Sequence, residues 1–285
     1  MSNMGRMVAA AALAALGLAL GPTAEVGEPA GVEPELCQAV AVLTVAESKR
    51  LIAKGVAELP VVKQALREGT VIITTGTTNS YVAEELLGRK IEPGAFVTGL
   101  TLPAKGGQAP PAKRSIAAIV LEKGKEVEGA TLEAALKDLK AGDVVIKGAN
   151  CLDYENRCAG VFIGHQAAGT TGQIMPYVVG RKAHLVIPIG LEKLTPGLAR
   201  AVEEKMRQPV KSLNRVPSMY LLTGEIVTEL EALKLLCGVE AFQAGAGGVG
   251  GAEGGRWLVF RGPKENVEKA LKLVEGLQGE PPFVK

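Results

Sequence analysis

Short apolar runs alternate with helical patterns along most of this chain. Residues 71–73 (VII), 116–121, 144–146 (VVI), 161–163 (VFI) and 185–189 (LVIPI) are runs of the kind that fill strands buried on both faces. Between them, apolar residues recur three and four apart. Thr44 opens one such stretch through Val45, Leu51, Ile52 and Val56, and residues 61–67 give a second, shorter one. Thr131 caps another that sets Leu132, Ala135, Leu136 and Leu139 on one side, with Gly142 just past its end. Residues 170–179, with Pro176 inside, and 198–207 complete the helical set, and residues 96–102 alternate enough for a further strand. This order predicts an α/β fold, a mainly parallel sheet flanked by helices.

The pattern changes near Pro217. Strand-like residues 219–222, 239–244, 257–260 and 283–284 are interleaved with helical residues 226–236 and 264–277. The order β-α-β-β-α-β is that of the ferredoxin-like split motif. The chain therefore divides into an N-terminal apolar extension and linker (1–36), an α/β ligand-binding domain (37–216) and a small C-terminal ferredoxin-like α+β domain (217–285). In the extension, Arg6 precedes an apolar run at 8–20, followed by Gly21 and Pro22. That is the outline of a signal peptide without a good cleavage site, and it is too short to span a bilayer comfortably. A cytoplasmic protein is expected, with export as the alternative. Residues 103–113 form a Pro/Gly-rich loop long enough for a lid or a mobile connection.

One segment carries the strongest chemical signal. Residues 70–87 read TVIITTGTTNSYVAEELL: a strand, a hydroxyl-rich turn and the start of a helix. Backbone N–H groups at a helix start, with hydroxyls beside them, suit an anion such as phosphate. Thr75, Gly76, Thr77, Thr78 and Asn79 are therefore candidate substrate-binding residues. KGANCLD at 147–153 directly follows an apolar strand, where α/β sheets gather ligands. Lys147, Gly148 and Asn150 join the binding set, and Asp153 and Glu155 are candidate acid/base groups. A second Gly/Thr turn, GHQAAGTTG at 164–172, adds Gly169, Thr170 and Thr171 to the binding set and His165 as a proton shuttle. Plain polar turns would use the same residue types. GAGGVG at 245–250 has the spacing of a dinucleotide loop, but more glycines and a strand follow it, so a hairpin is expected.

Composition narrows the partners. A net charge of +2, with no basic stripe interleaved with aromatics, gives no pull toward nucleic acid. The four cysteines form no CxxC pair and the two histidines have no zinc spacing, so no metal is expected. No cofactor and no membrane contact are expected. The expected partner is a small anionic metabolite, with a homo-oligomer as a further expectation.

Taken in order, the TGTT turn, GANCLD, the second Gly-rich turn and HLVIPIGLEKL resemble the superfamily of ribose-5-phosphate isomerase, glucosamine-6-phosphate deaminase and CoA transferases, over about residues 40–200. The resemblance implies that Thr75–Thr78 hold a phosphate or an acyl/CoA group. It also implies acid/base isomerisation of a phosphorylated metabolite. Asn150 stands where the isomerase pattern has an acidic residue, and Ile163-Gly164-His165 stands where it has a lysine-glycine run. Glu155-Asn156-Arg157 approaches the CoA-transferase glutamate turn. A metabolite-sensing module without catalysis and CoA-transferase-like chemistry are the alternative functions.

Overall fold

A computed structural model describes residues 35–105, 107 and 115–283. Most of the extension and linker expected at 1–36, more than half of the 103–113 loop and Val284 lie outside the described residues.

The chain begins with β1 (Leu36–Leu43), α1 (Val45–Glu58), α2 (Pro60–Glu68), β2 (Thr70–Thr74) and α3 (Thr77–Leu87). Next come β3 (Ala118–Glu122), β4 (Lys125–Glu126), α4 (Leu132–Asp138), β5 (Val144–Ile146), β6 (Cys151–Asp153), β7 (Cys158–Ile163) and α5 (Gly169–Arg181). After β8 (His184–Pro188) and a 3-10 turn at Leu191–Lys193, the chain continues through α6 (Ala199–Arg207), β9 (Ser218–Thr223), β10 (Glu225–Val227) and α7 (Glu229–Cys237). It ends with β11 (Glu240–Ala246), β12 (Arg256–Pro263) and α8 (Lys264–Glu275).

The main sheet is mixed, in the order β10-β8-β5-β2-β3-β4. Its first four strands are parallel, and β3 and β4 run antiparallel at one edge. The pleat divides its apolar residues between two layers. Val71, Ile73, Val144, Ile146 and Val186 pack with Ile52, Val56 and Val82 of α1 and α3. Ile72, Val145, Leu185 and Ile187 pack with Leu136 of α4 and Ile174 and Val178 of α5. Helices thus cover both faces, which is why these strands read as unbroken apolar runs.

Two small antiparallel sheets complete the body, β6-β7-β9 and β1-β12-β11. Here the structure departs from the expected order. Ile226 and Val227, expected to begin a helix, belong to β10, which extends the main sheet beside β8, while β9 pairs with β7. The hairpin β11–β12 gains its third strand from β1, in register from Leu36↔Pro263 to Leu43↔Arg256. Phe283 is not in a strand. Of residues 245–250, Gly245 and Ala246 end β11 and the rest lie in the hairpin connection, where Gly247, Gly248, Gly250 and Gly251 take positive φ. Residues 96–102, expected as a strand, form none, because Gly94 and Gly99 turn the backbone at φ 98 and 69. Phe96 is instead fully buried, and its carbonyl accepts from the Gly76 N–H.

Helices α1 and α7 meet where Gly55 faces Ala232. A Cβ at Gly55 would stand 2.6 Å from the Ala232 Cβ and 2.7 Å from its Cα. The Gly55→Val variant is expected to lose about 1–3 kcal/mol by forcing the helices apart, measured as a lower urea midpoint with an unchanged m-value. Wild-type stability would reject this close approach.

Candidate functional site

Four parallel strands, β2, β5, β8 and β10, end on one edge of the main sheet, and each is followed by a polar segment. After β2 the chain passes Thr75 and Gly76 and enters α3 without a side-chain cap. Asn79 in the first turn is fully buried. Its amide Nδ2 donates to Thr74 O at 2.7 Å and to Ile146 O at 3.3 Å, and Thr74 Oγ1 also donates to Ile146 O at 3.0 Å. These bonds tie the ends of β2 and β5 together. With the amide nitrogen held there, Asn79 Oδ1 has no partner, and it sits 3.5 Å from where a Cβ on Gly148 would be. The buried Thr78 Oγ1 is also without a partner. Thr75 Oγ1 shares a hydrogen bond with Thr98 Oγ1 at 3.0 Å, so the 96–98 segment braces the turn.

Lys147 follows β5. It is buried, and its Nζ donates to Gly148 O at 2.8 Å. Burial, and then the charge of Lys193, push its ammonium down to about 8. Lys193 lies on the 3-10 turn after β8, 3.8 Å from its neighbour Glu192. Glu192 folds back over Gly190 so closely that a Cβ there would stand 1.7 Å from Oε2, and a larger residue would have to displace this carboxylate. Glu192 Oε2 is buried without a partner.

After β10, Thr228 caps α7 in a capping box with Glu231, and Glu229 follows, fully buried. Its carboxylate accepts from Leu191 N at 3.0 and 3.3 Å. Burial, and then Glu192, push its carboxyl up to about 7. Lys49 of α1 completes the cluster. Burial lowers its ammonium, while Glu192 and Glu229 act to raise it and Lys193 to lower it further. Lys49, Lys193, Glu192 and Glu229 are thus one electrostatic group, and Lys193 links it to Lys147.

The expected binding residues Thr75, Gly76, Thr77, Thr78, Asn79, Lys147 and Gly148 lie together at the ends of β2 and β5. The others lie elsewhere or have other partners. Asn150 is exposed, and its Oδ1 accepts from Phe162 N, pinning the β6–β7 hairpin. Asp153 is buried on β6. One carboxylate oxygen accepts from Asn156 N and Nδ2, and the other from Ala199 N at the start of α6. Although burial opposes ionisation, these bonds hold its carboxyl below the usual range. Asp153 is therefore a staple between a turn and a helix. Glu155 is exposed in that turn. His165 is exposed, and its Nδ1 accepts from Ala167 N. Gly169, Thr170 and Thr171 begin α5, where Ala168 and Gly169 both take positive φ.

Sequence reasoning missed Lys49, Glu192, Lys193 and Glu229. Glu192 and Lys193 follow an apolar strand just as Lys147 does, so the rule applied at Lys147 would have found them. Glu229 was hidden because residues 225–227 look like helix. Among the described residues, no three His, Cys, Asp or Glu side chains are grouped to hold a metal ion, and no helix is long and apolar enough to cross a membrane.

Two outcomes follow from this geometry. Asp153→Ala strands the Ala199 and Asn156 donors and is expected to cost about 1–3 kcal/mol of stability, seen in chemical denaturation. An unchanged midpoint would exclude the staple. Glu229 binds its proton more tightly folded than unfolded, so its contribution is complete below about 4.3 and is lost as pH rises toward about 7. Across that interval Glu229→Gln should flatten the fall in stability seen for the wild type. Identical slopes for the two proteins would rule out a buried, proton-holding Glu229.

No protein-family model, curated protein or solved structure matches this chain.

Proposed function

We propose that the strand-end cleft binds a small phosphorylated metabolite and converts it by acid/base isomerisation, as the resemblance to the sugar-phosphate isomerase superfamily implies. The observation that carries this is the first turn of α3. Two buried polar atoms, Thr78 Oγ1 and Asn79 Oδ1, have no partner there, beside an uncapped helix start and a buried lysine. Buried polar groups without partners are costly, and an anion that accepts from Thr78 and the helix N–H groups relieves that cost. Asn79 Oδ1, an acceptor, suits a substrate hydroxyl.

Isomerisation needs a base that moves a proton between adjacent carbons and a group that supports charge on the neighbouring oxygen. Glu192, with its unpartnered oxygen, is assigned as the base. Lys193 supplies the positive charge, and Glu229, protonated near neutrality, is a proton reservoir behind Glu192. Asp153 has both oxygens engaged, so proton transfer moves from it to Glu192. The C-terminal segment supplies Glu229 and backs the cleft through α7.

Thermal shift with inorganic phosphate, sugar phosphates and acyl-CoAs tests the binding. A ligand at about 100 times its Kd should add about 2.7 kcal/mol. Thr78→Val keeps the shape and removes the hydroxyl, and should weaken phosphate binding roughly 3- to 10-fold, about one hydrogen bond. Equal shifts for wild type and Thr78→Val, or no shift with any anion, would reject the site. Glu192→Gln should keep the shift and lose about 100-fold or more in turnover. A bound ligand that wild type never converts would point to a metabolite sensor.

A further inference from the structure

Lys147 differs from the other two cleft lysines. Lys193 has Glu192 at 3.8 Å, and Lys49 lies in the fields of Glu192 and Glu229. Among the described residues, no carboxylate lies within ion-pair distance of Lys147 Nζ. Its one hydrogen bond is to Gly148 O, and the charge that acts on it is the like charge of Lys193. A buried ammonium without a counter-ion, beside a second cation, is the arrangement that releases a neutral amine. The phosphate-type site at α3 lies alongside, because Asn79 Oδ1 is 3.5 Å from the Cβ position of Gly148, the next residue in the chain.

We infer that Lys147 is a nucleophile that forms an imine with the carbonyl group of a phosphorylated aldehyde or ketone held at the first turn of α3. The inference deepens the proposed function and rests on it for the substrate class. The Nζ lone pair adds to the carbonyl carbon, and a proton passes from nitrogen to the former carbonyl oxygen, giving a carbinolamine. The C–O bond then breaks and water leaves, so amine and carbonyl become imine and water with no change of oxidation state. The imine nitrogen, once protonated, acidifies the neighbouring C–H, whose proton the Glu192 carboxylate accepts. Burial, and then the like charge of Lys193, raise the fraction of neutral amine between turnovers. Lys49, Glu192 and Glu229 are the other titrating groups of the cleft, on α1, the 3-10 turn and α7.

Pyridoxal 5′-phosphate, which carries both an aldehyde and a phosphate, is a direct probe. The full-length protein is incubated with it from pH 6 to 10, reduced with borohydride and mapped by peptide mass. The expected result is one dominant adduct, on Lys147, with a labelling rate that rises through about pH 8. Surface lysines would not reach this midpoint until above 10. Millimolar inorganic phosphate should slow the labelling at least 5-fold. Lys147→Arg should lose the adduct. Labelling spread over Lys49, Lys193 or surface lysines, with Lys147 free, overturns the inference, and the wild-type map decides this even if Lys147→Arg does not fold. A phosphate thermal shift without a Lys147 adduct rejects the imine and leaves the binding site standing. A Lys147 adduct that phosphate does not slow supports the nucleophile and rejects the phosphate site.

Discussion

The buried carboxamide of Asn79 holds the centre of this molecule together. Its nitrogen binds carbonyls at the ends of two adjacent parallel strands, Thr74 of β2 and Ile146 of β5. Parallel strands leave such carbonyls pointing out of the sheet edge with no further ladder partner, and a buried carbonyl left alone is costly. One side chain satisfies both, supported by the Thr74 hydroxyl. The same act fixes which atom faces away. The strand ends are closed by the nitrogen, so the oxygen is left for whatever enters the cleft. The unpartnered acceptor is here a by-product of strand closure.

The charges around this clip follow from burial. Three lysines and two glutamates lie at the ends of β5, β8 and β10 and on the adjoining turn of α1. Desolvation disfavours the charged form of three of them, lowering Lys147 and Lys49 and raising Glu229. The groups that would be most strongly charged in water are thereby drawn toward neutrality, where proton exchange is fast to both sides. Ion pairing dominates elsewhere. Arg50, on the same helix as Lys49, is clamped by Glu84, Glu85 and Glu280 and is raised further above its already high value. One helix thus carries a structural cation and a responsive one at adjacent positions in sequence.

Much of the central sheet was legible. Residues 71–73, 144–146 and 185–187 are apolar throughout because both faces of their sheet are covered, and Thr131 and Thr44 cap their helices as their sequences indicate. Half of the site was legible too, since the Thr/Gly turn and Lys147 follow the first two of those strands. The remainder depends on partners far away in the chain. β1 is an Ala/Val stretch whose alternation becomes meaningful only opposite β12. β10 is three residues long and merges into the pattern of α7, so Glu229 fell inside a longer expected helix, with nothing local to mark it as buried. Asp153 carried the right chemistry for an acid, but its oxygens are used by a helix start 46 residues later. Local pattern does not record which hydrogen bonds a side chain will already be making.

The pairing of β1 with β12 has a consequence for how the protein is made. Leu36 and Pro263 are partners, yet some 220 residues separate them. At about 5–20 residues per second, β1 waits roughly 10–40 s on the ribosome before its partner strand is synthesised. The central sheet can assemble in that time, because β2 to β10 precede β12. The nascent chain therefore carries an unpaired strand edge next to a nearly finished core, and an edge of that kind recruits other strands. The last hairpin to be synthesised is also the one that covers the first strand.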